Sequence, residues 1–330
     1  MNGARAGGLR EGLRENDWFG PLLVTLAAVA IVTALNPAFL SPFNVQILLL
    51  AISVNAMVAF SQMIIIAIGQ MNLSVGAIGG LAAIAFAGMM EVWGVPWPLA
   101  AVLALGIGLL AGLANGLLVA TTGISAFIIT LATLSIFKGV NLGITEAQPF
   151  YEIPAAVKSL GNDTFLGPLP WLVLPCAAVV LGLWYTLDRL SIGRAILAVG
   201  GNAHAAELSG ISVGRVTVAA HALSGLLAAL AGIMLVGRLQ LGQPTIGDDW
   251  LILSFAAPVI GGAVLSGGRV SVGGTFFGVV LVAIFTQVLV LFSIDPFLVQ
   301  IVLGVLILWA VGINRYREVR SRRRAGTVVT

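Results

Sequence analysis

NVQILLLAISVNAMVAFSQMIIIAI, residues 44–68, holds no charged side chain. As an α-helix rising 1.5 Å per residue it would reach roughly 37 Å, enough to cross a hydrocarbon core about 30 Å thick. Comparable apolar runs fall near 19–36, 72–92, 97–121, 124–145, 169–187, 214–237, 250–266, 270–292 and 296–313. Across the chain 59% of residues are hydrophobic and 9% charged, against roughly 25% charged in a soluble domain. A water-facing surface cannot be built from so few charges without large apolar patches. The runs are continuous rather than the ten-residue alternating segments of a porin-like barrel. They predict an all-α polytopic membrane protein of about ten transmembrane helices.

Placing the amino terminus inside and counting ten crossings brings the carboxyl terminus inside as well. Arg5, Arg10, Arg14, Arg189, Arg194, Arg215, Arg269, Arg315, Arg317, Arg320, Arg322, Arg323 and Arg324 then fall on the cytoplasmic side, leaving Lys138, Lys158 and Arg238. That asymmetry obeys the positive-inside rule. The organisation read is a cytoplasmic tail over 1–18, a transmembrane domain over 19–313 and a basic cytoplasmic tail over 314–330. The first run reads as a retained helix, since no cleavage-like site follows it. The Arg315–Arg324 cluster reads as an anchor for anionic lipid headgroups rather than a nucleic-acid patch. Cys176 is the single cysteine, so neither a disulfide framework nor a metal cluster is available.

Three connections are long enough to carry function. Residues 146–168 fall outside, with Pro149, Pro154, Pro168, Glu146, Glu152 and Asp163. Residues 238–249 also fall outside, with Gly242, Pro244, Asp248 and Asp249. Residues 188–213 fall inside. There Asn202 is a good N-cap, Ala203–Ser209 favour helix and Gly210 is a natural stop, so about two helical turns are predicted at the membrane surface. Gly200 and Gly201 form an entry that lets another surface approach the backbone.

This inner segment resembles the pattern G-R-x(3)-A-x-G-x-N-x(2)-A-A-x(3)-G-I-x-V of permease subunits from ATP-binding-cassette importers of the ribose and related-sugar class. The matching residues are Gly193, Arg194, Ala198, Gly200, Asn202, Ala205, Ala206, Gly210, Ile211 and Val213. In that family the segment is the coupling helix that seats in a cleft of the ATPase subunit. The resemblance therefore implies ATPase coupling at Gly193, Arg194, Gly200, Gly201, Asn202, Ala205, Ala206, Glu207 and Gly210. His204 stands where the family often has an acidic residue, leaving Glu207 as the nearby carboxylate.

Residues 69–80, GQMNLSVGAIGG, resemble the family's G-x-I-D-L-S-V-G-S stretch, with Asn72 in place of the family's Asp. Gly76, Gly79 and Gly80 permit close packing or a helix break, and a break is tolerated in a bilayer only where its backbone is buried in protein or lines a watery cavity. The segment is thus a candidate wall of the translocation path, with Asn55, Gln62, Gln70, Asn72, Ser74, Gly76, Thr130 and Thr133 as its residues. Asn55, Gln62 and Gln70 suit a hydroxylated solute, and equally suit pinning helices together. A third match, residues 260–278, carries seven glycines in nineteen residues. Gly261, Gly262, Gly267 and Gly268 read either as tight interhelical packing or as a gating, ATPase-facing turn.

The resemblance spans about residues 44–312. It implies a homodimeric permease pair in the bacterial inner membrane, with two cytoplasmic ATPase subunits and an extracytoplasmic sugar-binding protein. ATP and Mg would sit on the ATPase, with no cofactor, metal or catalytic residue in this chain. No Gly-Lys pair for a phosphate-binding loop occurs, and H-E-x-x-H is absent. The alternative class, a secondary transporter driven by an ion gradient, ordinarily buries ionisable residues near the midplane, and these runs contain almost none.

Smaller features complete the reading. Gly108, Gly112 and Gly116 share one helical face and predict packing, within the chain rather than at a homodimer seam. His221 predicts an interhelical hydrogen bond or a proton relay. Lys138 predicts a side chain snorkelling to the interface. Two sets of five spans would have opposite orientations, so an inverted repeat pairing 73–92 with 265–292 is a further expectation.

Overall fold

The protein is seen in a computed structural model that describes residues 18–293 together with Leu298, Ile301, Gly304, Val305, Leu308 and Gly312. The expected tenth run, 296–313, and the Arg315–Arg324 cluster therefore lie largely or wholly outside the described residues. The elements are α1 (Phe19–Leu35), α2 (Pro42–Ala67), α3 (Val75–Glu91), α4 (Trp97–Thr122) and α5 (Ala126–Thr145). After them come α6 (Ala155–Asn162), β1 (Thr164–Leu166), β2 (Leu169–Pro170), α7 (Val173–Arg189), α8 (Ser191–Gly201) and α9 (Ala203–Leu208). The chain continues with α10 (Val213–Leu239), α11 (Trp250–Ile260) and α12 (Val272–Leu291). Among the described residues the architecture is all-α apart from the small antiparallel β1–β2 hairpin. Helix α6 and β1 lie in the 146–168 connection, and β2 lies just beyond it.

Local chemistry sets several boundaries. Ser41 Oγ accepts from the Asn44 N–H at 3.4 Å with Pro42 at the first helical position, and Ser271 Oγ accepts from the Gly274 N–H at 3.0 Å. Gly123, at φ +71°, ends α4. Asn36 caps the one-turn 3₁₀ segment Pro37–Leu40 between α1 and α2.

Helices α2 and α10 form the centre and are the most buried of the long helices. Gln46, near the start of α2, donates to the Asn162 carbonyl at 2.7 Å, while the Ala67 carbonyl at its end accepts from the Gly268 N–H at 3.0 Å. The bundle thus has a hairpin end and an α9 end, roughly 39 Å apart along a helix of 26 residues. Helix α10 runs the other way, starting beyond α9 and finishing where Asn162 Nδ2 donates to the Gly237 and Arg238 carbonyls at 3.1 and 3.2 Å. Gly108, Gly112 and Gly116 of α4 face Gly225, His221 and Val218 of α10 without room for a Cβ. Small residues there let backbones touch, and the expected intrachain packing is found. Trp18 stacks on Phe277 at 6.3 Å, and Val32, Phe39 and Ile284 cluster, tying α1 to α12.

Both central helices are followed by broken crossings. After α2 the chain turns at Gly69, runs without helix to Ser74 and begins α3 at mid-depth, where Gly79 lies against Ala228 and Trp250. After α10, Gly242 exchanges two backbone hydrogen bonds with Phe150 at the hairpin end, at 2.7 and 2.9 Å. The segment then descends until Gly247 meets Gly76, and α11 completes the passage, so that Gly261 packs on Gly274.

Among the described residues five helices, α2, α4, α5, α10 and α12, are long and apolar enough to cross a membrane, six if the α7–α8 pair, bent by 71°, counts as one span. Helices α1, α3 and α11 are apolar but shorter. The expected unbroken span 250–266 stops at Ile260, where Gly261 and Gly262 begin a turn. The α2–break–α3 and α10–break–α11 units run in opposite directions. The partner of the first break is thus 240–249 with α11, not the expected 265–292. Large apolar side chains such as Val102, Leu110, Ile136 and Leu181 remain exposed on α4, α5 and α7.

Candidate functional site

The break between α2 and α3 gathers a polar cluster inside the apolar bundle. Asn72 Oδ1 accepts from the Ser74 N–H at 2.9 Å and from its hydroxyl at 2.7 Å, forming a turn that launches α3. Asn72 Nδ2 donates to Ser224 Oγ on α10 at 3.1 Å, and Ser224 Oγ lies 3.0 Å from Ser61 Oγ on α2. Asn115 Nδ2 on α4 donates to Ser74 Oγ at 2.8 Å. The Gln62 amide, turned so that both its atoms are satisfied, donates to the Asn72 carbonyl at 3.0 Å and accepts from the Asn72 N–H at 3.3 Å. Thr130 Oγ1 on α5 accepts from the Leu73 N–H at 3.0 Å and donates to the Ala126 carbonyl at 2.7 Å. Four helices therefore meet on one stretch of non-helical backbone, whose freed groups are met by side chains as a membrane interior demands.

Of the path residues expected from sequence, Gln62, Asn72, Ser74 and Thr130 converge here, and all four are fully buried. Gln70 lies toward the α9 end, its Oε1 3.0 Å from His221 Nε2. His221 on α10 thus bonds to a side chain of the non-helical segment that follows α2. Gly76 is buried at the second residue of α3. Thr133 is bound only weakly, its hydroxyl 3.4 Å from the Thr130 carbonyl. Asn55 stands apart, half-buried on α2 about two turns from Ser61.

A cavity of about 110 Å³ adjoins the cluster. Leu73, Gly76 and Ala77 close one side, Leu134, Lys138 and Asn141 of α5 another, and Ile246, Gly247, Asp248 and Leu251 the third. Lys138 Nζ lies 2.8 Å from Asp248 Oδ1, and both side chains are about half exposed. Lys138 meets a carboxylate because the 240–249 segment folds back within its reach. Asn141 Nδ2 donates to the Pro244 carbonyl at 3.2 Å.

At the opposite end the expected Asn202 cap is present, Oδ1 accepting from the Ala205 N–H at 3.0 Å. Helix α9 follows, and Gly210 at φ +82° stops it. Ala206 is buried, while Gly201, Asn202, Ala205, Glu207 and Gly210 are exposed. Leu208 is 77% exposed, an apolar knob on the last turn of α9. The residues before Asn202 are not an open glycine entry but form α8, whose underside is anchored. Arg194 donates to the Arg189 carbonyl at 3.0 Å, and Gly193 packs on Thr186 at the sharp α7–α8 corner. Gly200 lies against the Ala67 carbonyl and Gly268, and Gly267 sits over Gly69 and Gly200. The third glycine motif thus splits. Gly267 and Gly268 join α8 to the end of α2, Gly261 packs on α12, and Gly262, at φ +91°, has open space beside it.

Sequence reasoning missed Ser61, Asn115, Asn141 and Ser224. Two of them carried a signal: Asn115 precedes Gly116 and Ser224 precedes Gly225, where close helix approach puts a short polar side chain within reach of its neighbour.

Residues 44–311 match the family described as branched-chain amino acid transport system, permease component. The chain is 40% identical over 302 residues to the ribose import permease protein of Bacillus subtilis (strain 168), covering 91% of this chain and 93% of that protein. It is 34% identical over 304 residues to the fructose import permease protein of Rhizobium meliloti, covering 90% and 84%. It is 30% identical over 313 residues to the L-arabinose ABC transporter permease protein of Azospirillum brasilense, covering 93% and 89%. No solved structure matches.

Proposed function

Because the chain belongs to the family of branched-chain amino acid transport system permease components, we propose that it is the membrane-spanning permease of an ATP-binding-cassette importer for a sugar or sugar-like solute. It is a multi-pass protein of the bacterial inner membrane and a transport subunit rather than an enzyme. The observation that carries the reading is 40% identity to a ribose import permease across nine-tenths of both chains.

In this reading α1 to α5, α7, α10, α11 and α12, with the run 296–313, make ten passes, two of them broken. Both termini then face the cytoplasm, on the side of α9. Helix α9 docks on a separate ATPase that binds ATP and Mg, with Leu208 entering its cleft and Glu207 and His204 beside it. The rigid seat of α8 on α2 and on the Gly267–Gly268 turn supports transmission of that docking into the bundle, since backbone–backbone contact leaves no compliant side chain between them. A sugar-binding protein delivers solute at the hairpin end, and a second copy of the chain completes the pathway. The buried Asn72 cluster is then the closed waist of the path.

Reconstitution tests this. The chain in liposomes with the ATPase that co-purifies with it and a sugar-binding protein is expected to take up a sugar only when ATP is supplied. Uptake without ATP, driven by an imposed ion gradient, would replace the permease reading with a secondary transporter.

A further inference from the structure

The cavity beside Gly76 and Gly247 has the composition of a ligand site rather than of a packing fault. Its walls are mostly apolar side chains and backbone, with three polar groups from two elements: Lys138 and Asn141 on α5 and Asp248 on the descending segment. Apolar walls with few, placed polar groups are what small-molecule sites present. Asn141 is 2% exposed, and its Oδ1 has no partner although its Nδ2 is engaged. A buried acceptor left open is satisfied when a donor enters.

The charges narrow the class of ligand. An ammonium and a carboxylate at 2.8 Å present no net charge. A hydroxyl can accept from one and donate to the other. Neighbouring hydroxyls on one ring can therefore replace the pair's own contact, with the C–H face of the ring on Leu134 and Leu251. A charged solute would face repulsion from one member of the pair. The volume, by the measure in which one water needs about 10–15 Å³, holds several waters or one small ring.

The pair also bridges two elements that nothing else charged connects at this cavity: α5 and the segment after Gly247. It is half exposed, so breaking it disturbs the fold little. We propose that this cavity is a subsite for a small uncharged polyhydroxylated solute and that Lys138–Asp248 is its latch, exchanging its mutual contact for the solute's hydroxyls. The proposal rests on the importer reading and adds to it a location, a set of residues and a selection against charge.

The test uses the full chain in lipid nanodiscs, with Cys176→Ser and Leu251→Cys, so that a maleimide reports access to the cavity wall. Labelling is expected to be slowed roughly threefold or more by D-ribose, D-fructose or L-arabinose at about twice its Kd, as 1 + [L]/Kd dictates, and not by gluconate at the same concentration. Lys138→Met and Asp248→Asn are each expected to quicken labelling and remove the protection. The double exchange Lys138→Asp with Asp248→Lys is expected to restore both, which a merely misfolded variant would not do. Protection by none of the three sugars, equal protection by gluconate, or protection that survives both single variants overturns the proposal. Labelling needs neither ATPase nor binding protein, so a negative result here with ATP-driven uptake intact condemns the subsite and leaves the importer reading standing.

Discussion

Between Ala67 and Val75 the chain leaves helix and is held by side chains. Asn72 and Ser74 close a turn, Gln62 pairs with the Asn72 backbone, and Thr130 takes the Leu73 N–H. Between Leu239 and Trp250 it leaves helix at the corresponding place in the oppositely directed unit and is held mainly by backbone. There Gly242 pairs with Phe150, the Ile246, Asp248 and Trp250 N–H groups bond to carbonyls three residues back, and Gly247 abuts Gly76. The same geometric task is met by amides in one half and by close approach in the other. Hydrogen-bonded side chains fail one bond at a time. A backbone contact with no room for a methyl group fails at once.

The sharpest way to break the comparison is at the glycine contact. Gly247 sits at φ +93°, and a Cβ there would strike the Gly76 carbonyl oxygen. Gly247→Ala combines overpacking of about 1–3 kcal/mol with a left-handed backbone term of about 1–2 kcal/mol. A loss of about 3 kcal/mol or more is expected in the thermal unfolding of the detergent-solubilised chain. Gly262→Ala is the matched control. At φ +91° with open space around it, it carries the backbone term alone, about 1–2 kcal/mol. Equal losses at the two positions would show that conformation, and not the approach of α3 to the 240–249 segment, sets the requirement.

At the amide-held break the loss is expected to be smaller and to depend on chemistry. Asn72→Ala removes the acceptor of two Ser74 donors and the donor to Ser224. Buried groups left open cost about 1–3 kcal/mol each, but interhelical bonds within a membrane average about 0.6 kcal/mol, so a net loss of about 2 kcal/mol is expected. Asn72→Asp keeps the acceptor, and the Ser224 hydroxyl can rotate from accepting to donating. It should therefore lose less than Asn72→Ala when the two are unfolded side by side. A larger loss for the aspartate would mean that the amide's donor, rather than its acceptor, holds α3 to α10.

These contrasts mark how far the sequence could be read. The long helices were legible because lipid demands a continuous apolar run: 97–121 became Trp97–Thr122, and 214–237 became Val213–Leu239. The Asn202 cap was legible because capping is local. The position of the second break was not. Gly242 to Asp249 reads as an ordinary polar loop, and its contacts with Gly76, Gly80 and Asn141 draw it into the bundle. Helix α8 was hidden for a related reason, since Gly200 and Gly201 look like a loop until the Ala67 carbonyl and Gly268 show why a side chain is excluded at Gly200. Gln62, Asn72, Ser74 and Thr130 were legible as polar residues near one break. Ser61 was not, because an isolated serine within an apolar run gives no sign of which helix it will meet, and Ser224 was marked only by the neighbouring Gly225.

Thr130 and Thr133 sharpen the comparison at its weakest point, since both were expected on the path and both lie on one face of α5. Thr130 Oγ1 both accepts from the Leu73 N–H at 3.0 Å and donates to the Ala126 carbonyl at 2.7 Å, so it links two elements. Thr133 reaches only the Thr130 carbonyl within its own helix, at 3.4 Å. Valine is close in shape to threonine but offers no hydrogen bond. Thr130→Val strands a backbone donor of the break and is expected to cost about 1–2 kcal/mol. Thr133→Val removes a bond too long to contribute much and is expected to fall within about 0.5 kcal/mol of the parent. If the two variants unfold alike, side chains from α5 do not hold the first break, and its stability must come from the bonds around Asn72, Ser74 and Gln62. If Thr133→Val instead leaves stability unchanged but lowers uptake, its hydroxyl is used by the solute rather than by the fold.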